Sequence, residues 1–154
     1  MKDIIRIKGV VDLEELNILT GEKTVTRYYN MIMQNYYNLI FKFLNTDNEA
    51  VDCDALTINM VALGTGTTAV TSADTKLATE IYRKAPTTKT RGLGSFVTKV
   101  IIGAPEAVGD IKEIGLFAKG TDDADSGTLL SRLLIDKQKT ALLQWTILYS
   151  YVLS

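Results

Sequence analysis

Along most of the chain, apolar and polar residues alternate rather than recur at helical spacing. Ile5, Ile7 and Val11 alternate roughly with Arg6 and Lys8, which predicts extended chain at the start. Thr20-Gly21-Glu22 marks a tight turn between LEELNIL (13–19) and KTVTRYY (23–29). A hairpin or meander follows, because Thr, Val and Tyr favour strands and Gly supplies a positive φ. LTINMVAL (56–63), SFVTKVIIGAPE (95–106), IKEIGLFAK (111–119) and TLLSRLLID (128–136) read as further strands, and EIYRKAPTTKTR (80–91) as a strand and a turn. The clearest alternation is TALLQWTILYSYVL (140–153). Leu143, Trp145, Ile147, Tyr149, Tyr151 and Leu153 share one face, which predicts that Trp145 is buried; Leu142, Gln144, Thr146, Leu148, Ser150 and Val152 share the other. At roughly 3.3 Å per residue such a strand spans about 40 Å. That length suits a bent sheet, or one continuing into a neighbouring subunit.

One stretch has helical spacing. In MIMQNYYNLIFKFLN (31–45), Ile32, Tyr36, Leu39 or Ile40, and Phe43 form one stripe, and Met33, Tyr37, Ile40 and Leu44 an adjacent one. With Asn30 as its cap, this predicts a helix near residues 30–44. Its polar positions, Gln34, Asn35, Asn38 and Lys42, carry one charge, a poor composition for a membrane-surface helix. The wide apolar arc suits a helix buried against a sheet, or one at a subunit interface formed by Met33, Tyr37 and Leu44. Thr71 or Ser72 predicts a cap for a short helical turn at Ala73-Asp74-Thr75. No regular strand–helix alternation appears, so a doubly wound fold is not expected. The expectation is a mainly β, sandwich-like arrangement of antiparallel sheets with one principal helix and about seven to nine strands. A single domain over 1–154 follows from the length.

Composition narrows the chemistry. The 154 residues are 46% hydrophobic, enough for one real core. With 17 basic and 18 acidic residues the net charge is -1, without the basic excess that phosphate-backbone binding favours, so no nucleic-acid partner is expected. Histidine is absent, which removes the usual neutral-pH proton shuttle and any Ser-His triad. Cys53 is the one cysteine, so no intramolecular disulfide forms, and a buried thiol is expected. The first residues do not read as a signal peptide, and no run of 18 apolar residues predicts a membrane span.

The most suggestive short motif is Gly64-Thr65-Gly66-Thr67-Thr68-Ala69, which fits G-x-G-x-x-A. A dinucleotide site needs a helix opening at those glycines, and the β-branched residues that follow argue against one. It also lacks the lysine of a phosphate loop. The expectation is a strand terminus where Gly64 and Gly66 adopt backbone angles closed to other residues, with no cofactor. Asp47, Asp52 and Asp54, and likewise Asp122, Asp123 and Asp125, lack the order and the bidentate acid of a calcium loop, so no metal is expected. The second group reads as a solvated hairpin tip. Arg83 and Arg132 lie between apolar residues; they face solvent, or pair with a carboxylate for which Glu113 is the candidate.

The order of phrases carries more than any one of them. After TGE (20–22) come YYNMIMQNYYNLIFKFLN (28–45), VALGTGTTAVTSADTKLATEIYRK (61–84), IKEIGLFAKG (111–120), GTLLSRLLID (127–136) and KTALLQWTI (139–147). Over about Thr20 to Ile147 this series resembles small structural proteins of tailed bacteriophages and phage-tail-like particles, of the tail-fibre, collar-fibre or baseplate-associated kind. The resemblance implies a β-rich building block in a virion tail, put together in the bacterial host cytoplasm, associating with copies of itself and other tail proteins, without catalysis. The motif positions it carries over are Gly64, Gly66, Thr68, Asp74, Thr75, Leu77, Arg83, Glu113, Gly115, Leu116, Phe117, Leu130 and Arg132. The chain has no long repetitive shaft, which favours a collar, baseplate or fibre-attachment adaptor. The alternative is a receptor-binding module for a host surface glycan, using Tyr28, Tyr29, Tyr36, Tyr37, Trp145, Tyr149 and Tyr151.

Overall fold

The computed structural model describes residues 7–45 and 52–153. Ten strands and one α-helix are present among them. Strands β1 (Ile7–Asn17), β2 (Lys23–Tyr29), β6 (Thr88–Gly92), β7 (Ser95–Ile102) and β10 (Leu143–Leu153) form one antiparallel sheet in the order β2-β1-β10-β7-β6. Strands β3 (Met31–Ile32), β4 (Ile58–Gly64), β5 (Glu80–Lys84), β8 (Gly109–Ala118) and β9 (Thr128–Lys139) form the second, in the order β3-β9-β8-β4-β5. Helix α1 (Gln34–Leu44) follows β3, and a short 3-10 turn (Cys53–Leu56) precedes β4. The expected mainly β sandwich with a single helix is therefore the architecture found.

Period-two patterning builds the first sheet. On β10, Trp145, Ile147, Tyr149 and Tyr151 are buried, while Thr146, Leu148 and Ser150 between them are half-buried. Val11 and Leu13 of β1 and Val100 and Ile102 of β7 join them from the same sheet. Ile114, Leu116, Leu130 and Leu133 face them from the second sheet. β10 pairs along its length with β1, from Ile7↔Leu153 to Asn17↔Leu143, and from Trp145 to Val152 with β7. Its unusual length is thus used within this chain, and no strand partner in a neighbouring subunit is needed to explain it.

The middle of the second sheet is buried on both faces. From Glu113 to Ala118 every residue of β8 is buried. Its inward residues belong to the sandwich core, whereas Phe117 packs outward with Met33, Met60, Ala62, Leu77 and Leu129. Leu77 comes from the loop of residues 65–79, which lies across this outer face as a third layer.

That layer explains where the helix differs from expectation. α1 starts at Gln34, after Met33, and no side chain caps it. Asn30 instead donates to the Tyr151 hydroxyl (2.8 Å), and Met31–Ile32 pair with Arg132 and Ser131 as a short strand. The Gln34 N–H is taken by the Ser72 carbonyl (2.8 Å). No α1 residue is buried, because the outer face of the neighbouring sheet is already covered by the loop. Tyr36 is half-buried, its hydroxyl donating to the Leu56 carbonyl (3.3 Å), while Phe41 and Leu44 are 64% and 72% exposed. Met33, expected at an interface, is fully buried within this chain. The helical turn expected at Ala73-Asp74-Thr75 is a hydrogen-bonded turn closed by Thr71 and Asp74. Ile5, Asp47 and the thiol of Cys53 fall outside the described positions.

Trp145 is fully buried at the centre of the core. Trp145→Ala should lower unfolding stability by about 3–5 kcal/mol, read from denaturant titration, and the wild-type indole should emit at wavelengths of a nonpolar site.

Candidate functional site

The glycine motif sits where β4 runs into the 65–79 loop. Gly64 is the last residue of β4, paired with Glu113 of β8 and Glu80 of β5. Glu113 points out of the sandwich and is completely buried under the loop. A buried carboxylate costs several kcal/mol unless donors surround it. Here it accepts from the backbone N–H of Gly66 (3.0 Å), Ala78 (3.0 Å) and Thr79 (2.8 Å), and from Arg132 Nε (2.8 Å). Both ends of the loop are therefore drawn onto one side chain, and Thr65 N–H to Thr79 O (2.9 Å) closes the neck.

Arg132, on β9 beside Glu113, carries the network to the middle of the loop. Its side chain is 2% exposed and ion-paired with both Glu113 and Asp74 (2.7 Å). Its third nitrogen donates to the Thr68 carbonyl and hydroxyl, each at 3.1 Å. Burial pulls the guanidinium's affinity for its proton down, and Asp74 and Glu113 outweigh that and raise it. Burial likewise pushes the Asp74 carboxyl up, but hydrogen bonds from Thr71 and Arg132 hold it below the ordinary carboxylate value. Arg132 and Glu113 are thus a buried pair, with the planar fork of the arginine spread over three loop and strand partners.

This geometry answers what the glycines do. Three loop N–H groups that could face an external anion are committed to an internal one. Neither Gly64 nor Gly66 has a positive φ, so the expectation of special backbone angles is corrected. Space is the reason instead. A Cβ on Gly66 would lie 2.4 Å from both Ala78 Cβ and Glu113 Oε1, and one on Gly64 2.5 Å from the Thr79 carbonyl.

The positions singled out by sequence fall at different places in the fold. Gly64, Gly66, Thr68, Asp74, Leu77, Glu113 and Arg132 converge on this network or lie against it. Gly115 and Phe117 continue the outer face beneath Leu77, while Leu116 and Leu130 face the sandwich core. Thr75 is exposed. Arg83 forms a separate buried pair with Glu80, not with Glu113, through Nε (2.5 Å) and Nη2 (2.8 Å). Its remaining nitrogen donates to Thr121 O (2.8 Å) and Ser126 Oγ (2.6 Å), and its guanidinium lies 5.0 Å from the Phe117 ring centroid. The acidic tip at 122–125 is therefore anchored at its base. The Asp125 N–H adds a bond to Glu80 (3.1 Å).

Two features escaped sequence reading. Lys139 is fully buried, and its Nζ donates to the carbonyls of Gly103 (2.8 Å), Ala104 (3.0 Å) and Leu143 (2.8 Å), joining two turns. Burial lowers its pKa. Its neighbours Lys137, Gln138 and Thr140 gave no sign of this. Glu106 holds a turn through the Gly103 N–H (2.5 Å) and pairs with Lys84 (2.6 Å). Among the described residues no group of three or more acidic or cysteine side chains is placed to hold a metal ion. Asp52 caps the 3-10 turn through the Asp54 N–H and pairs with Lys119. Comparison with protein-family models, curated proteins and solved structures gives no match.

Two outcomes follow from the network. Gly66→Ala should destabilise the chain by about 1–3 kcal/mol through overpacking, measured in urea, even though alanine tolerates the backbone. Asp74, with its folded pKa depressed, stabilises the fold above its ordinary value of 3.8, and that contribution is lost as pH falls through the lower folded value. Asp74→Asn should flatten this part of the stability–pH curve below about pH 5, by titrated unfolding.

Proposed function

We propose that this chain is a non-enzymatic structural component of a phage tail or phage-tail-like particle: a collar, baseplate or fibre-attachment adaptor acting by assembly with copies of itself and with other tail proteins. The observation that carries this is the fate of the ordered sequence phrases. Gly64, Gly66, Thr68, Asp74, Leu77, Glu113 and Arg132, among the residues that give the chain its resemblance to tail proteins, fold into an internal scaffold, the Glu113–Arg132–Asp74 network and the loop it holds. Their polar atoms are directed at one another and at the backbone. A catalytic group would instead have to reach a bound molecule with a free donor, acceptor or proton.

The surface suits assembly. Phe41 and Leu44 stand out at the end of α1, joined by half-exposed Phe43, and Leu93 is completely exposed at the β6–β7 turn. Neighbouring exposed apolar side chains such as those at the end of α1 mark interaction sites more often than isolated ones do. No helix among the described residues is long and apolar enough to cross a membrane. The glycan-binding alternative relied on exposed rings. Trp145, Tyr149 and Tyr151 are internal, Tyr28, Tyr36 and Tyr37 are half-buried, and Tyr29 is 79% exposed.

Light scattering across a concentration series, alone and with neighbouring tail proteins, tests the reading. Leu44→Glu, at an exposed position, should reduce the assembled mass while leaving the unfolding curve within about 0.5 kcal/mol of wild type. A monomer under every condition, with no binding to any tail protein, would defeat the proposal.

A further inference from the structure

β6 is the outer strand of its sheet, and all five of its residues, Thr88 to Gly92, are exposed. An uncovered edge is a template for another extended chain unless charge or shape blunts it. The charged residues of two other edge strands, β2 and β5, find ion-pair partners within the chain. On β2, Lys23 pairs with Glu14 and Arg27 with Asp12. On β5, Arg83 pairs with Glu80 and Lys84 with Glu106. β6 differs: residues 85–105 contain Lys89, Arg91 and Lys99 and no Asp or Glu. Neither Lys89 nor Arg91 meets a carboxylate among the described residues.

Register shows where these two cations point. Lys89 lies opposite Thr98 and Arg91 opposite Phe96 on β7. Thr98 is buried and Phe96 stacks on Tyr151 at 4.7 Å, so this is the inward face of the sheet. Lys89 Nζ reaches across to the Ile58 carbonyl (3.1 Å) on the second sheet. Beneath this edge the sandwich opens into a cavity of about 540 Å³, lined by Ile7, Tyr36, Ile58, Phe96 and Tyr151 with Lys89 and Arg91 on its β6 side.

We infer that the β6 edge accepts an extended segment of a partner protein as a sixth strand. The incoming face would carry acidic residues at i and i+2, opposite Lys89 and Arg91, and an apolar residue entering the cavity. Strand addition of this kind takes affinity from main-chain hydrogen bonds and selectivity from alternate side chains. Oppositely charged residues directly across a strand pair favour one partner, and basic ones there are repelled. The inference rests on the assembly function proposed above and supplies the chemistry of its partner.

The test uses the full chain with two synthetic peptides, Ac-Thr-Glu-Thr-Glu-Thr-Phe-Thr-NH2 and the same peptide with Lys for both Glu. Amide shifts map the site, and hydrogen exchange reports strand pairing. The acidic peptide should bind saturably below about 1 mM, shift the amides of residues 88–92 and slow their exchange. The Lys peptide should not. Lys89→Glu combined with Arg91→Glu, both at exposed positions, should weaken the acidic peptide by about tenfold or more and transfer binding to the Lys peptide. Absence of saturation, shifts confined to another surface, or equal binding to wild type and the double variant overturns the inference. Dodecanoate competing at the same amides while the acidic peptide fails would also overturn it, in favour of a small amphiphile. Assembly with tail proteins that is unchanged in the double variant removes the edge from assembly and leaves the proposed function standing. Peptide capture as expected, without any assembly, keeps the edge and removes the function.

Discussion

The Glu113 carboxylate, buried under a surface loop, is the constraint from which much of the architecture follows. A charge in that position is tolerable only with donors on every side, and the chain supplies four, three of them backbone N–H groups from the two ends of one loop. The loop can approach that closely only because residues 64 and 66 lack a Cβ. Once drawn in, it brings Leu77 down onto Phe117 and Met60, which makes the second sheet apolar on its outer face as well as its inner one. The same layer supplies the Ser72 carbonyl that receives the first N–H of α1. A break at Glu113 would thus be felt at the helix, some distance from any contact of its own.

Sequence reading reached the parts of this fold that are governed by local periodicity. The faces of β10 were legible because each buried residue is separated from the next by one more exposed residue. β3 was not, since Met31 falls within the expected helix and Ile32 on one of its stripes; only their pairing with Arg132 and Ser131 shows a strand. β6 was absorbed into a turn because TKTRG has no apolar residue to betray a sheet position. The candidate site was legible in its membership and obscure in its reason. Glu113 and Arg132 could be linked as an arginine and an acid between apolar neighbours. That Glu113 also binds Gly66, 47 residues away, has no local signature. The glycines were therefore assigned to backbone conformation when their constraint is contact with a distant side chain.

The two ends of the sandwich are finished by different chemistry. At one, the Lys139 ammonium ties three carbonyls from two turns. At the other, Tyr36, Phe96 and Tyr151 leave an apolar opening with cations beside it. One end is thus closed by buried polar bonds, and the other is open.

The position of β10 has a consequence for how the protein is made. It lies between β1 and β7, so the β1–β2 and β6–β7 hairpins of the first sheet have no contact through the sheet without it. Its partners Ile7↔Leu153 stand at opposite extremes of the described chain. During synthesis the two hairpins therefore wait, each with an unsatisfied flank, until β10 has left the ribosome. The strands of the second sheet are by then all complete. Vectorial synthesis thus favours a half-built sandwich whose missing centre is held back to the last, a state in which neighbouring nascent chains could exchange strands. Chaperone dependence during expression would originate in this topological delay rather than in any weakness of the finished core.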